Sequence, residues 1–139
     1  MKGVSSLKHT CQGESHKASN KPCQDFSLAE SKDAYAVAIV SDGHGGARYF
    51  RSDKGSELAV RCAKKAIAKF VKETSNTQIF KGKILTQAGI NPEKSDDKIY
   101  TALSWLVSSI IRQWNSEILK DAQTHSITEW EQQHVSGAQ

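Results

Sequence analysis

The feature that most constrains this chain is an almost unbroken apolar run over 34–40, which ends abruptly in Ser-Asp-Gly-His-Gly-Gly at 41–46. A short apolar run bounded by turn residues is typical of a β-strand. Because the run does not alternate with polar residues, it predicts a strand buried on both faces, as in a central strand covered by other layers. We therefore expect a layered domain whose central strand ends in a polar, glycine-rich loop.

Two amphipathic helices are predicted after this loop. Apolar residues recur at steps of three and four in both segments; in the first they are Phe50, Leu58, Ala59, Ala63, Ala66, Ile67 and Phe70, and in the second Ile99, Leu103, Leu106, Ile110, Trp114 and Ile118. Ser95 is the expected N-cap of the second helix. Strands followed by helices predict an α+β fold, with the helices packed on one face of an antiparallel sheet.

The 139 residues are long enough for one domain. We predict strands and site loops over 1–46, a helix over 47–73, a loop over 74–94, a helix over 95–123, and a short helix or tail over 124–139. The loop includes a predicted short helix at 83–87. So few strands under two long helices predict a partial sandwich that exposes apolar surface, and hence self-association.

Composition excludes several classes of protein. Nineteen basic and 15 acidic residues give a net charge of +4, and the two signs are interspersed, which disfavours nucleic-acid binding. No apolar segment approaches the roughly 20 residues of a membrane span, and the first ten residues lack the apolar region of a signal peptide. Three cysteines do not form a disulfide scaffold, so we expect reduced thiols and a cytoplasmic protein.

The glycine-rich loop contains residues suited to chemistry. Asp42 and the carbonyl of Gly43 are hard oxygen ligands of the kind that Mg²⁺ or Mn²⁺ takes, and His44 is a candidate proton donor. The glycines allow positive φ or close approach of a ligand. Considered alone, the loop fits equally well with a simple turn carrying an Asx hydrogen bond and a surface histidine.

Two upstream segments add candidates. Asp25 ends the sequence Pro-Cys-Gln-Asp at 22–25, just before a predicted short strand, and would approach Asp42 if the two strand ends lie side by side. His16 and Lys17 lie in a polar segment, predicted as a loop, that could meet a phosphate. A strand-capping aspartate and a solvated loop are the alternatives for these two segments.

Taken in order, these segments resemble a known family. Gly13-x-Ser15-His16, the 22–25 sequence and the 41–46 loop are similar to the N-terminal half of metal-dependent serine/threonine protein phosphatases, the type 2C or PPM family, and most similar to its bacterial branch. The resemblance covers Met1 to about Val71. It implies an α-β-β-α sandwich, a pair of Mg²⁺ or Mn²⁺ ions, and a hydrolase in which metal-activated water attacks phosphoserine or phosphothreonine of a protein substrate.

The resemblance also implies residue roles. Asp25 and Asp42 correspond to metal ligands, Gly43 to a ligand through its backbone carbonyl, and His44 to the general acid. Gln24 stands where many members have glutamate, and would hydrogen-bond a metal-bound water without adding charge. His16 lies near the position of an upstream arginine in many members, and would bind the substrate phosphate less strongly than that arginine does.

The family needs further aspartates from its C-terminal half, and nothing after Gly46 matches those motifs. We therefore expect a truncated phosphatase domain whose C-terminal half is missing. We expect the chain to need that missing half as a partner and to be inactive alone. The alternative is a non-catalytic pseudophosphatase or a fragment that binds phosphoproteins or a partner chain. A small basic binding module is the least favoured function, because it would require the three motif segments to occur in the family's order by coincidence.

Overall fold

The computed structural model describes residues 5–12, 14–18, 22–33, 35–79 and 97–136. Two strands and two long helices form the α+β fold that the sequence predicts. In chain order the elements are α1 (Glu14–Ala18), β1 (Phe26–Ser31), β2 (Ala36–Ser41), a 3-10 turn (Ala47–Tyr49), α2 (Ser52–Thr74), α3 (Asp97–Thr124) and α4 (Glu129–Ser136).

The two strands form an antiparallel hairpin. Phe26 pairs with Ser41 at the open end and Ser31 with Ala36 near the turn, where the Lys32 amide donates to the carbonyl of Tyr35. Both predicted strands are therefore confirmed. The hairpin brings the residue before β1 and the residue after β2 to the same end of the sheet.

The prediction that the central strand is buried on both faces is wrong for the part of the chain that the structure describes. Side chains of β2 alternate between half-buried and exposed, and Val40 is 84% exposed. The reason is that α2 contacts both strands of the hairpin, while no second sheet lies over the strands among the described residues. The apolar run thus has an open face.

Helix α2 joins the parts of the fold. It packs on the hairpin and on α3, and the buried apolar residues of the described chain lie on these two helices: Val60, Cys62, Ala63, Ala66 and Ile99. Lys64 on α2 forms an ion pair with Glu30 of β1 at 2.7 Å. The indole Nε1 of Trp114 on α3 donates to the carbonyl of Gly55 at 3.0 Å.

Several boundaries differ from those predicted. The first long helix begins at Ser52 because residues 47–49 form a separate 3-10 turn. The segment 14–18, predicted as a polar loop, is a short helix, α1. Ser95 and the predicted short helix at 83–87 lie outside the described residues. In the described part of the chain, no helix is long and apolar enough to span a membrane.

Candidate active site

The two predicted carboxylates lie together at the open end of the hairpin. Since Phe26 pairs with Ser41, Asp25 and Asp42 occupy the next opposed positions beyond the ladder. The backbone amide of Gly43 donates to Asp25 Oδ1 at 3.1 Å. Both aspartates line one cleft of about 370 Å³, with His9, Thr10 and Cys11 of the N-terminal segment on its wall.

Gly43 is required by close packing rather than by an unusual backbone angle. A Cβ atom at this position would lie 2.2 Å from the carbonyl oxygen of Gln24 and 2.7 Å from Ser52 Oγ. Neither Gly43 nor Gly46 has a positive φ, and the latter has φ of −75°. The absence of a side chain lets the segments before β1 and after β2 meet the start of α2.

Gln24 is the buried member of the site. It is 8% exposed, and its backbone carbonyl accepts a hydrogen bond from Ser56 Oγ at 2.6 Å. Its side-chain Oε1 is buried and has no hydrogen-bond partner in the described part of the chain. A buried amide oxygen without a partner is costly in a protein interior, and this one adjoins Asp25 in sequence.

Ser56, whose hydroxyl holds the segment that contains Gln24 and Asp25, was not identified from the sequence. Ser56 is 5% exposed and lies on α2, so its hydroxyl ties the helix to the residue preceding Asp25. A signal was available: Ser56 precedes Val60 by four residues and Ala63 by seven, and therefore lies on the apolar face of the helix. A polar residue on such a face usually has a specific hydrogen-bond partner.

His44 is exposed and stacks on an aromatic ring. Its imidazole lies 4.4 Å from the ring of Tyr49, centroid to centroid, at an interplanar angle of 25°. The amide of Tyr49 donates to the carbonyl of Gly46 at 2.9 Å, which closes the turn that carries Tyr49. No sequence pattern singled out Tyr49, because ring stacking across five residues depends on the path of the loop.

His44 also borders a second cavity. This cavity has a volume of about 510 Å³ and lies between the 41–46 loop, the 3-10 turn, the start of α2 and Trp114 of α3. Asp42 and Gly43 line it as well. Two of the predicted metal ligands and the predicted acid, His44, therefore border the same cavity.

The structure does not describe the side chain of His16. Its backbone lies in α1, and the prediction that its imidazole binds phosphate concerns atoms outside the described part. Lys17, its neighbour, is exposed.

The donor set fits Mg²⁺ or Mn²⁺ in kind. Two carboxylates and a backbone carbonyl are hard oxygen ligands, and Mg²⁺ commonly takes one or two carboxylates and keeps several waters. The unpartnered Oε1 of Gln24 is an acceptor suited to such a water. Among the described residues, no cluster of three or more histidine, cysteine, aspartate or glutamate side chains is arranged to hold a metal ion.

Comparison with known proteins now identifies the family. The family model described as Protein phosphatase 2C matches residues 12–135, which is most of the chain. The chain belongs to the protein phosphatase 2C family. No curated protein and no solved structure matches it.

The family match extends beyond the motifs at the hairpin. It begins just before α1 and ends within α4, so it includes α3, which lies beyond the stretch from Met1 to about Val71 that the resemblance covers. Membership of this phosphatase family is consistent with the position of Asp25 and Asp42 at one end of the hairpin.

Proposed function

We propose that the chain is the metal-binding N-terminal part of a hydrolase that removes phosphate from phosphoserine and phosphothreonine in proteins. The observation that supports this most directly is the meeting of Asp25, Asp42 and the Gly43 backbone, held by the 3.1 Å hydrogen bond from the Gly43 amide to Asp25 Oδ1. The family match supports a phosphatase-type hydrolase. The three free cysteines support the expected cytoplasmic location.

The proposed roles are those that the family resemblance implies. Asp25, Asp42 and the carbonyl of Gly43 would hold Mg²⁺ or Mn²⁺, which when bound as a pair activates water and neutralises phosphoryl charge. His44 would donate a proton to the departing serine or threonine oxygen. Gln24, anchored through Ser56, would orient a water bound beside Asp25.

We further propose that the 139 residues alone bind the metal weakly and hydrolyse phosphoesters negligibly. Divalent-cation sites need about six oxygen ligands, and among the described residues Asp25 and Asp42 are the two carboxylates that line the cleft. The remaining ligands would come from a C-terminal half of the domain, acting as the partner that completes the site. Both aspartates are exposed, so water competes for each of them.

A binding titration tests the metal site. We expect Mn²⁺, followed by electron paramagnetic resonance of the free ion, to bind the chain with a millimolar-range dissociation constant. Asp42→Asn and Asp25→Asn should each weaken binding about tenfold or more, because each removes a charged ligand. Asp33→Asn is the matched control, since Asp33 is exposed at the other end of the hairpin.

Two results would contradict this proposal. If Asp42→Asn binds Mn²⁺ as tightly as Asp33→Asn does, Asp42 is not a ligand. If the purified chain hydrolyses p-nitrophenyl phosphate readily with Mn²⁺, the site is complete without a partner. The alternative function, a non-catalytic phosphoprotein-binding fragment, would be supported by phosphopeptide binding that never leads to hydrolysis after a C-terminal half is supplied.

A further inference from the structure

We propose that Arg48, on the 3-10 turn after the glycine-rich loop, binds the phosphoryl group of the substrate. This inference rests on the proposed function, because it names the cation that pairs with the substrate at the same site. The sequence places His16, rather than an arginine, upstream of the hairpin. An arginine that lines the cavity beside His44, namely Arg48, comes instead from the turn at 47–49.

Arg48 has the position and the freedom to bind an anion. It is exposed, and it lines the 510 Å³ cavity together with Asp42, Gly43 and His44. In the described part of the chain it has no ion-pair or hydrogen-bond partner. Its five N–H donors are therefore available to a ligand.

Arg51 lines the same cavity but is already occupied. Its guanidinium forms a two-point contact with Glu131, at 2.9 and 3.0 Å, and lies 3.6 Å from Asp121. It also donates to the carbonyls of His125 and Ser126. Since the guanidinium of Arg51 is already bound to these groups, Arg48 is the arginine on this cavity wall that can exchange its contacts with water for contacts with a substrate.

The turn holds Arg48 in a fixed relation to His44. Tyr49, the next residue, stacks on the His44 imidazole at 4.4 Å, and its amide bonds back to Gly46. Helix α4 packs against the turn from outside. The turn and α4 thus hold the backbone of Arg48, while its side chain is exposed.

The chemistry suits a phosphate ester. A guanidinium donates two parallel hydrogen bonds to phosphate oxygens, which lysine or histidine cannot reproduce. Beside two carboxylates, a phosphate dianion also needs compensating positive charge. Arg48 would supply this charge on the side of the cavity where His44 meets the leaving oxygen, so substrate and proton donor would be aligned by one turn.

Phosphate titration of the ¹⁵N-labelled chain tests this assignment. Inorganic phosphate is the probe, in buffer with and without Mg²⁺, and sodium chloride at equal ionic strength is the reference. We expect saturable shifts of the Gly43 and His44 amides and of the Arg48 Nε–H signal. Arg48→Ala should weaken phosphate binding about tenfold or more, the usual effect of losing a charge-assisted contact, and Arg48→Lys should restore only part of it.

Arg61→Ala is the matched control, since it removes the same charge from α2 at a residue paired with Glu57 and outside this cavity. Its phosphate affinity should equal that of the wild type. The proposal is overturned if the wild type shows no saturable shifts, if Arg48→Ala binds phosphate normally, or if Arg61→Ala loses as much affinity. It is also overturned if His16→Ala, and not Arg48→Ala, abolishes binding.

Failure of the proposed function gives a different result. Arg48→Ala should bind Mn²⁺ as the wild type does, because Arg48 is not a metal ligand. If Mn²⁺ fails to bind at Asp42 while phosphate affinity still depends on Arg48, the metal-dependent function falls and the anion site stands. If Mn²⁺ binding depends on Asp42 but phosphate affinity does not depend on Arg48, the role proposed for Arg48 is wrong and the proposed metal site stands.

Discussion

At the scale of single residues, the site is organised by contacts that involve the backbone. The carbonyl of Gln24 accepts from Ser56 and lies against Gly43, while the amide of Gly43 donates to Asp25. The three segments that meet here, from before β1, after β2 and the start of α2, therefore hold one another. A change that separates them should alter stability and metal affinity together.

Gly43→Ala is expected to destabilise the fold by about 1–3 kcal/mol, the usual cost of overpacking. The added Cβ would lie 2.2 Å from a backbone oxygen, and a backbone atom cannot rotate away. Gly55→Ala is the contrasting control, because a Cβ there meets nothing within 4 Å and alanine is favoured in a helix by about 0.5–1 kcal/mol. Chemical denaturation would measure both; equal stability of the two variants would refute the packing argument.

Ser56→Ala should destabilise the protein by about 1–3 kcal/mol, since it leaves the buried carbonyl of Gln24 without its side-chain donor. Ser75→Ala is the control, because the Ser75 hydroxyl makes an exposed hydrogen bond just after the same helix. We also expect Ser56→Ala to weaken Mn²⁺ binding through displacement of Asp25. Unchanged stability and metal affinity would show that the hydroxyl does not anchor this segment.

At the scale of elements, the ion pair between Arg51 and Glu131 helps to attach α4. Thr128 and Glu131 form a capping box, in which the Glu131 carboxylate accepts from the Thr128 amide at 2.7 Å and the Glu131 amide donates to Thr128 Oγ1 at 3.2 Å. The same carboxylate binds Arg51 beside α2. Helix α4 contacts the 3-10 turn that carries Arg48. The ion pair between Arg51 and Glu131 is therefore linked to the candidate site through this turn.

Acid should release α4. The Arg51 guanidinium, with help from the Thr128 amide, lowers the pKa of Glu131 from its ordinary 4.5 to about 2. A depressed carboxyl pKa contributes stability that is complete above the ordinary value and is lost as pH falls through the folded value. We therefore expect α4 to detach between about pH 4.5 and 2, as followed by backbone amide shifts of α4.

Glu131→Gln should detach or loosen α4 already at neutral pH and remove the acid transition. Glu117→Gln is the matched control, because the ion pair of Glu117 with Lys120 lies within α3. An acid transition of α4 that persists unchanged in Glu131→Gln would contradict the assignment to this carboxyl.

At the scale of the whole molecule, local pattern predicted the elements and tertiary contact decided the details. The apolar run and the segment after Asp25 predict the two strands, and they predict neighbouring aspartates if the two strand ends lie side by side, as the hairpin places them. The exposed face of β2, the ring of Tyr49 on His44 and the ion pairs of Arg51 could not be predicted. Each depends on which segments pack together, and residue spacing along the chain does not reveal that.

The described molecule exposes more apolar surface than its small core suggests. Of the five buried apolar residues, four are small or medium in size, namely Val60, Cys62, Ala63 and Ala66, and lie on α2. By contrast, Val40 is 84% exposed on β2, and Val107 and Ile111 are about half exposed on α3. Apolar surface spread over two elements favours association in water, because burying it returns about 25 cal/mol for each Å².

We therefore expect the isolated chain to self-associate in a concentration-dependent manner, as measured by sedimentation velocity. Replacing both Val107 and Ile111 with lysine should shift the distribution toward the monomer, whereas lysine at Ser108, exposed on the same helix, changes charge but not apolar area. Salt separates the two causes, because screening weakens charge repulsion and leaves apolar association intact. A single monomeric boundary for the wild type at high protein concentration would mean that these faces remain in water, and the picture of an incompletely covered fold would then be wrong.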